Sequence, residues 1–163
     1  MLYCSVKNEI SVQSVTEREN VRQGLTELRE ALLRLHKVLM DSERTTYEQT
    51  FGKIASPYQF LQLLTTDAWF AWLRPLTQLI AAMDEMLEAK EPLTMAGVKA
   101  PADQARALLV ATAGNDGFAG HYDEALQRDP EVVFAHAEAA RCLRTATACV
   151  GTPMTPVRDE RKS

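Results

Sequence analysis

The chain reads as an all-α protein, an antiparallel helical bundle of four main helices joined by short connecting helices. Apolar residues recur in steps of three and four along most of the chain, the spacing that gathers them on one stripe of a helix. Capping and breaking residues fall between those stretches, where helices should start and stop. No segment alternates apolar and polar residues for more than a few positions, apart from a weak hint between Ser5 and Val15, so no sheet is assigned. Amphipathic helices without a sheet can hide their stripes only against one another, and a bundle follows.

The first helix starts where Ser14 with Glu17 and Thr16 with Glu19 have capping-box spacing, a hydroxyl and a carboxylate answering each other's free backbone donors. Val21, Leu25, Leu28, Leu32, Leu35 and Leu39 then form one apolar seam, and the pattern can run on toward Thr50. Gly24 within it costs about 1 kcal/mol relative to alanine, for which a close approach by another backbone would compensate.

The pattern lapses near Phe51 and Gly52, and Ser56, Pro57 and Gln59 supply cap, first-turn proline and capping-box partner for a second helix. Its apolar residues are Tyr58, Phe60, Leu61 and Leu64, and Thr65, Thr66 and Asp67 stop it and cap the next element. From Trp69 the seam resumes through Leu73, Leu76, Ile80, Met83 and Leu87. It passes Pro75 in phase, which predicts one helix kinked at that proline.

Pro92, Gly97 and Pro101 mark a loop over Lys90 to Ala100, with a helix after Pro101 carrying Ala105, Leu108 and Leu109. The run Gly114, Asn115, Asp116, Gly117 ends it. A short helix with Phe118, Tyr122, Ala125 and Leu126 follows, and Asp129 with Pro130 opens the last one. That helix runs to about Ala148 with Val132, Ala135, Ala139, Cys142, Leu143 and Ala146 inward. The organisation is thus a bundle over 14–150, preceded by a segment 1–13 that the patterning does not require to be ordered, and followed by a disordered tail over 151–163.

A chain of 163 residues can bury a core large enough to need no staple, and a net charge of -4 argues against a phosphate-backbone partner, so no nucleic acid is expected. No run of about 18 apolar residues exists to span a membrane. Cys142 and Cys149 lie about 10 Å apart along one helix, too far for a disulfide. Lys7 and Glu9 break any apolar leader, and together these features predict a cytoplasmic protein.

The junction of Tyr122, Ala125, Leu126, Asp129 and Pro130 is similar to that of a tetratricopeptide repeat, but it occurs once, with no second copy a period away. The stretch SPYQFLQLLTTDAWFAWLRPLTQLIAAMDE, Ser56 to Glu85, resembles a segment of small bacterial helical-bundle proteins. It covers under a fifth of the chain and implies a bacterial helical domain, with no activity, substrate or site attached.

No spacing in the chain matches a known catalytic chemistry, and neither a catalytic residue nor a cofactor is assigned. The leading expectation is a non-enzymatic, homodimeric protein-interaction module. A seam as long as Val21, Leu25, Leu28, Leu32, Leu35 and Leu39 exceeds what three shorter helices would cover, and self-association or a protein partner would take the surplus. The alternative is a bundle binding a small apolar or anionic ligand in a pocket bordered by Tyr58, Trp69 and Trp72, with Arg74 holding the anion. Trp69, Phe70 and Trp72 crowd one helical turn and cannot all face one core, which motivates that pocket. A second alternative gathers His36, His121 and His136, one on each of three helices, into a metal site.

Overall fold

A computed structural model describes the backbone of residues 3–110 and 117–148, and side chains from Val15 onward. The expected tail over 151–163, the turn at Gly114–Asp116 and Cys149 lie outside the described residues. Among those described there are helices and no strand: α1 (Tyr3–Phe51), α2 (Pro57–Thr66), a 3-10 helix (Ala68–Leu73), α3 (Arg74–Glu88), α4 (Met95–Leu109), α5 (Phe118–Arg128) and α6 (Pro130–Ala148). No described helix is long and apolar enough to cross a membrane.

The leucine seam of α1 is the spine of the core. Leu25, Leu28, Leu32, Leu35 and Leu39 are fully buried and Val21 is 5% exposed. Against α3, α1 sets Arg29 Nε 2.6 Å from Asp84 Oδ1 and His36 Nε2 2.9 Å from Thr77 Oγ1. Near its start Arg22 donates to the Leu87 carbonyl, filling an acceptor that the last turn of α3 leaves open. Against α6, Gly24 lies beside Ala146, and Arg34 Nη1 is 2.6 Å from Glu138 Oε1. Along both faces the partner's numbers fall as those of α1 rise, so α1 runs antiparallel to α3 and to α6. Helix α4 packs on α3 and α6 and adds Val98, Ala102, Ala105 and Leu109 to the same core. Small residues on α6, notably Ala139, Cys142 and Ala146, let α1 come close.

Several boundaries follow the sequence. Ser56 Oγ accepts the Gln59 N–H at 3.1 Å, while Gln59 Oε1 accepts from Ala55, one residue before the expected capping-box donor. Asp67 Oδ1 accepts the Trp69 N–H at 2.8 Å, and Asp129 Oδ1 accepts the Glu131 N–H at 3.0 Å ahead of Pro130. Others correct it. Helix α1 is already formed at Tyr3, ahead of the Ser14 and Thr16 caps, so 3–13 belong to the helix. Pro75 is not in the interior of a helix: it stands in the first turn of α3, where its missing N–H falls among donors that have no intrahelical partner anyway. Pro101 is the interior proline. Helix α4 starts at Met95 with Thr94 Oγ1 accepting the Gly97 N–H at 3.2 Å, and Pro101 lies buried inside it. Its ring nitrogen cannot donate to the Gly97 carbonyl, a loss on the order of 3 kcal/mol in a bare helix. Burial of Val98, Pro101, Ala102 and Ala105 on one stripe opposes that loss.

Candidate functional site

Between α2 and the body of the protein the side chains leave a cleft of about 240 Å³. Its apolar lining is Met40 from α1, Leu61 and Leu64 from α2, and Phe70 and Leu73 from the 3-10 helix. The polar lining is His36, Thr65, Arg74 and Thr77.

The 3-10 helix shapes this space. With three residues per turn, side chains at i and i+3 stand in one row, so six residues make three rows. Phe70 and Leu73 share a row, both buried and both facing the cleft. Ala68 and Ala71 make a second row. Trp69 and Trp72 make the third, about 6 Å apart along the axis, and each meets its own neighbours. Trp69 packs edge-on against Tyr47 and Phe51, with centroids 6.0 and 5.6 Å away. Trp72 stacks on His121 at 5.4 Å and touches Phe118. Three aromatic residues that cannot share one face of an α-helix are thus distributed over two rows.

Helix α2 forms one wall of the cleft, yet none of its residues is fully buried. It is tied down mainly to the 3-10 helix, with Phe60 edge-on to Phe70 at 5.7 Å and the Arg44 guanidinium 5.2 Å over the Phe60 ring. Arg74, in the first turn of α3, donates through Nη2 to the Thr65 carbonyl at 3.3 Å, serving an acceptor left open at the C-terminal end of α2. Arg74 forms no ion pair among the described residues. Burial lowers the pKa of His36 from the ordinary imidazole value, so this ring is neutral at pH 7 and Arg74 is the one charged side chain lining the cleft.

The residues singled out from the sequence are not gathered into one site. Of Tyr58, Trp69, Trp72 and Arg74, only Arg74 lines the cleft. Tyr58 is 70% exposed with its hydroxyl accepting from Gln62, and the two tryptophans pack elsewhere. The proposed interface of Val21, Leu25, Leu28, Leu32, Leu35 and Leu39 is covered within the chain by α3, α4 and α6, so the seam offers no face to a second copy. The histidines each engage a different partner: His36 with Thr77, His121 with the Trp72 ring, and His136 Nδ1 with the Tyr122 hydroxyl at 2.7 Å. Among the described residues no group of three His, Cys, Asp or Glu side chains is placed to hold a metal ion. Missed by sequence reasoning were Met40, Leu61, Leu64, Thr65, Leu73 and Thr77. The one available signal was the Leu61 and Leu64 pair, three apart on a helix whose apolar residues exceed a single stripe.

A second cleft of about 260 Å³ lies where α1 passes Leu93, Thr94 and Met95, but Glu17 and Arg18 give it opposite charges side by side and Val21 is its one buried apolar wall. Comparison with known proteins finds no match: no family model, no curated protein and no solved structure is significantly similar to the chain.

Proposed function

We propose that the protein is a non-enzymatic binding module, an antiparallel bundle of four main helices that takes a small apolar ligand into the cleft beneath α2. One observation carries this: five apolar side chains surround an unfilled space whose outer wall, α2, has no fully buried residue of its own. Apolar area facing an open space forgoes roughly 25 cal/mol for each Å² that a ligand would remove from water. At about 240 Å³ the cleft falls just below the usual range of small-molecule sites, which points to a compact ligand. A cytoplasmic setting goes with this proposal and is supported by the free, buried thiol of Cys142.

The test uses the two tryptophans, which flank the cleft-lining Phe70. Short alcohols and small aromatics are titrated while tryptophan emission and Tm are followed. A saturable emission change with a rise in Tm supports the proposal. If no member of the panel moves either signal at millimolar concentration, the binding-module reading is wrong.

Self-association is the second reading, now on a different face. Val133 and Phe134 are adjacent on α6 and 44% and 70% exposed, which is unusual for a large aromatic side chain. Sedimentation at micromolar concentration checks it: a species of twice the chain mass that Phe134→Glu converts to monomer supports this reading, and a monomer throughout removes it.

A further inference from the structure

We propose that the ligand of this cleft is an amphipathic monoanion, an alkyl or aryl carboxylate whose tail lies on Met40, Leu64 and Phe70 and whose carboxylate is held by Arg74. This rests on the cleft being the binding site. The charge pattern is the first support: Arg74 is a full positive charge at the rim, without an acidic partner among the described residues, and no carboxylate lines the cleft. Its bond to the Thr65 carbonyl uses one of five N–H donors and leaves the charge unneutralised. That bond fixes the guanidinium where the 3-10 helix meets α3, with further donors open to a planar, two-oxygen acceptor.

The neighbouring groups favour the same sign. His36 is neutral and engages Thr77 Oγ1 at 2.9 Å, so it neither competes for the anion nor adds a second charge that would call for a dianion. An ammonium head group would sit beside Arg74 and be repelled, and a neutral alcohol would leave the guanidinium unpaired. Size sets the tail: at about 30 Å³ for each water-sized group, the space takes on the order of eight carbon-sized groups. Octanoate is therefore the probe, with 1-octanol and octylammonium as partners of equal carbon number.

Binding of the three probes is measured by calorimetry on the full chain and on Arg74→Gln, an exposed substitution away from the core. A charge-assisted contact at a half-open rim is expected to weaken octanoate binding about tenfold when Arg74 is replaced, leaving 1-octanol within about twofold. Added salt should weaken octanoate in the unsubstituted protein alone. If 1-octanol binds but octanoate is indifferent to Arg74→Gln, or octylammonium binds as well as octanoate, the anion assignment fails while the cleft survives as an apolar site. If none of the three binds, the cleft reading itself falls and takes this inference with it.

Discussion

Replacing Gly24 by alanine should stabilise the protein. Gly24 stands on α1 where α6 passes it, and a methyl group built there would meet Ala146 Cα at 3.7 Å and Ala146 Cβ at 3.8 Å. Those distances are ordinary van der Waals contact, so the helices are near one another without being near enough to demand a glycine. Backbone entropy then decides the sign: alanine is better than glycine inside a helix by about 0.8–1.0 kcal/mol, and the new methyl contacts add to that. For a chain of this size about 1 kcal/mol corresponds to a rise in Tm of about 2–4 °C. Urea denaturation followed by circular dichroism is the assay, with a higher midpoint at unchanged slope expected for Gly24→Ala. Gly24→Leu is the counterpart, since its branches must displace Ala146, and it should cost about 1–3 kcal/mol. A lowered midpoint for Gly24→Ala at unchanged slope would refute the reasoning.

Acid should destabilise the fold before the carboxylates titrate. Burial holds His36 and His136 below the ordinary value of 6.5, so the unfolded chain binds more protons than the folded one as pH drops through 6.5 toward their folded values. Stability is full above that window and declines within it; Tm measured from pH 7.5 to 5.5 should fall, and His36→Gln with His136→Gln should flatten the slope. An unchanged slope in that double variant contradicts the assignment. The Glu43 side chain is 5% exposed and meets Arg128 Nη2 at 2.6 Å, so Arg128→Ala should cost about 2–3 kcal/mol, less than for a wholly buried pair because Arg128 is 38% exposed. Denaturant midpoints read this directly, and a loss under about 0.5 kcal/mol would show the pair to be inert. Leu35→Ala, at a position with no exposed area, should cost about 2–5 kcal/mol by the same measurement.

How much of this was legible in the residues depends on the scale of the cause. Local chemistry was readable: Ser56 and Pro57 open α2, Asp67 closes it, and Asp129 with Pro130 opens α6. The leucine seam was readable as core-forming, but its apparent surplus was not real, because coverage depends on how three helices close around it. Both prolines stand elsewhere in their helices than the sequence suggested. Pro75 falls in a first turn because a 3-10 helix precedes α3, and three residues per turn stack Phe70 directly in line with Leu73 where an α-helix would stagger them on the same face. Pro101 looked like the end of a loop with a helix after it, whereas the buried stripe begins one turn earlier at Val98, behind a threonine cap that no carboxylate completes. Of the cleft, Arg74 could be singled out by its place beside the aromatics. Met40 and Thr77 could not, since their role arises from the gap left when α2 rests on the 3-10 helix rather than on α1.

Both ends of α2 are closed by its own neighbours in sequence. Gly52, at φ +96°, turns the chain off the end of α1, and Ser56 Oγ and Gln59 Oε1 accept the amides of Gln59 and Ala55 without help from the bundle. At the other end the Asp67 amide closes on the Leu63 carbonyl at 2.9 Å. Ten residues alone make a marginal helix in water, so α2 still leans on the Phe60 ring against Phe70 and on the Arg44 guanidinium over Phe60. Phe60 against Phe70 and the Arg74 bond to Thr65 are thus the contacts whose loss would free α2 from the body of the protein.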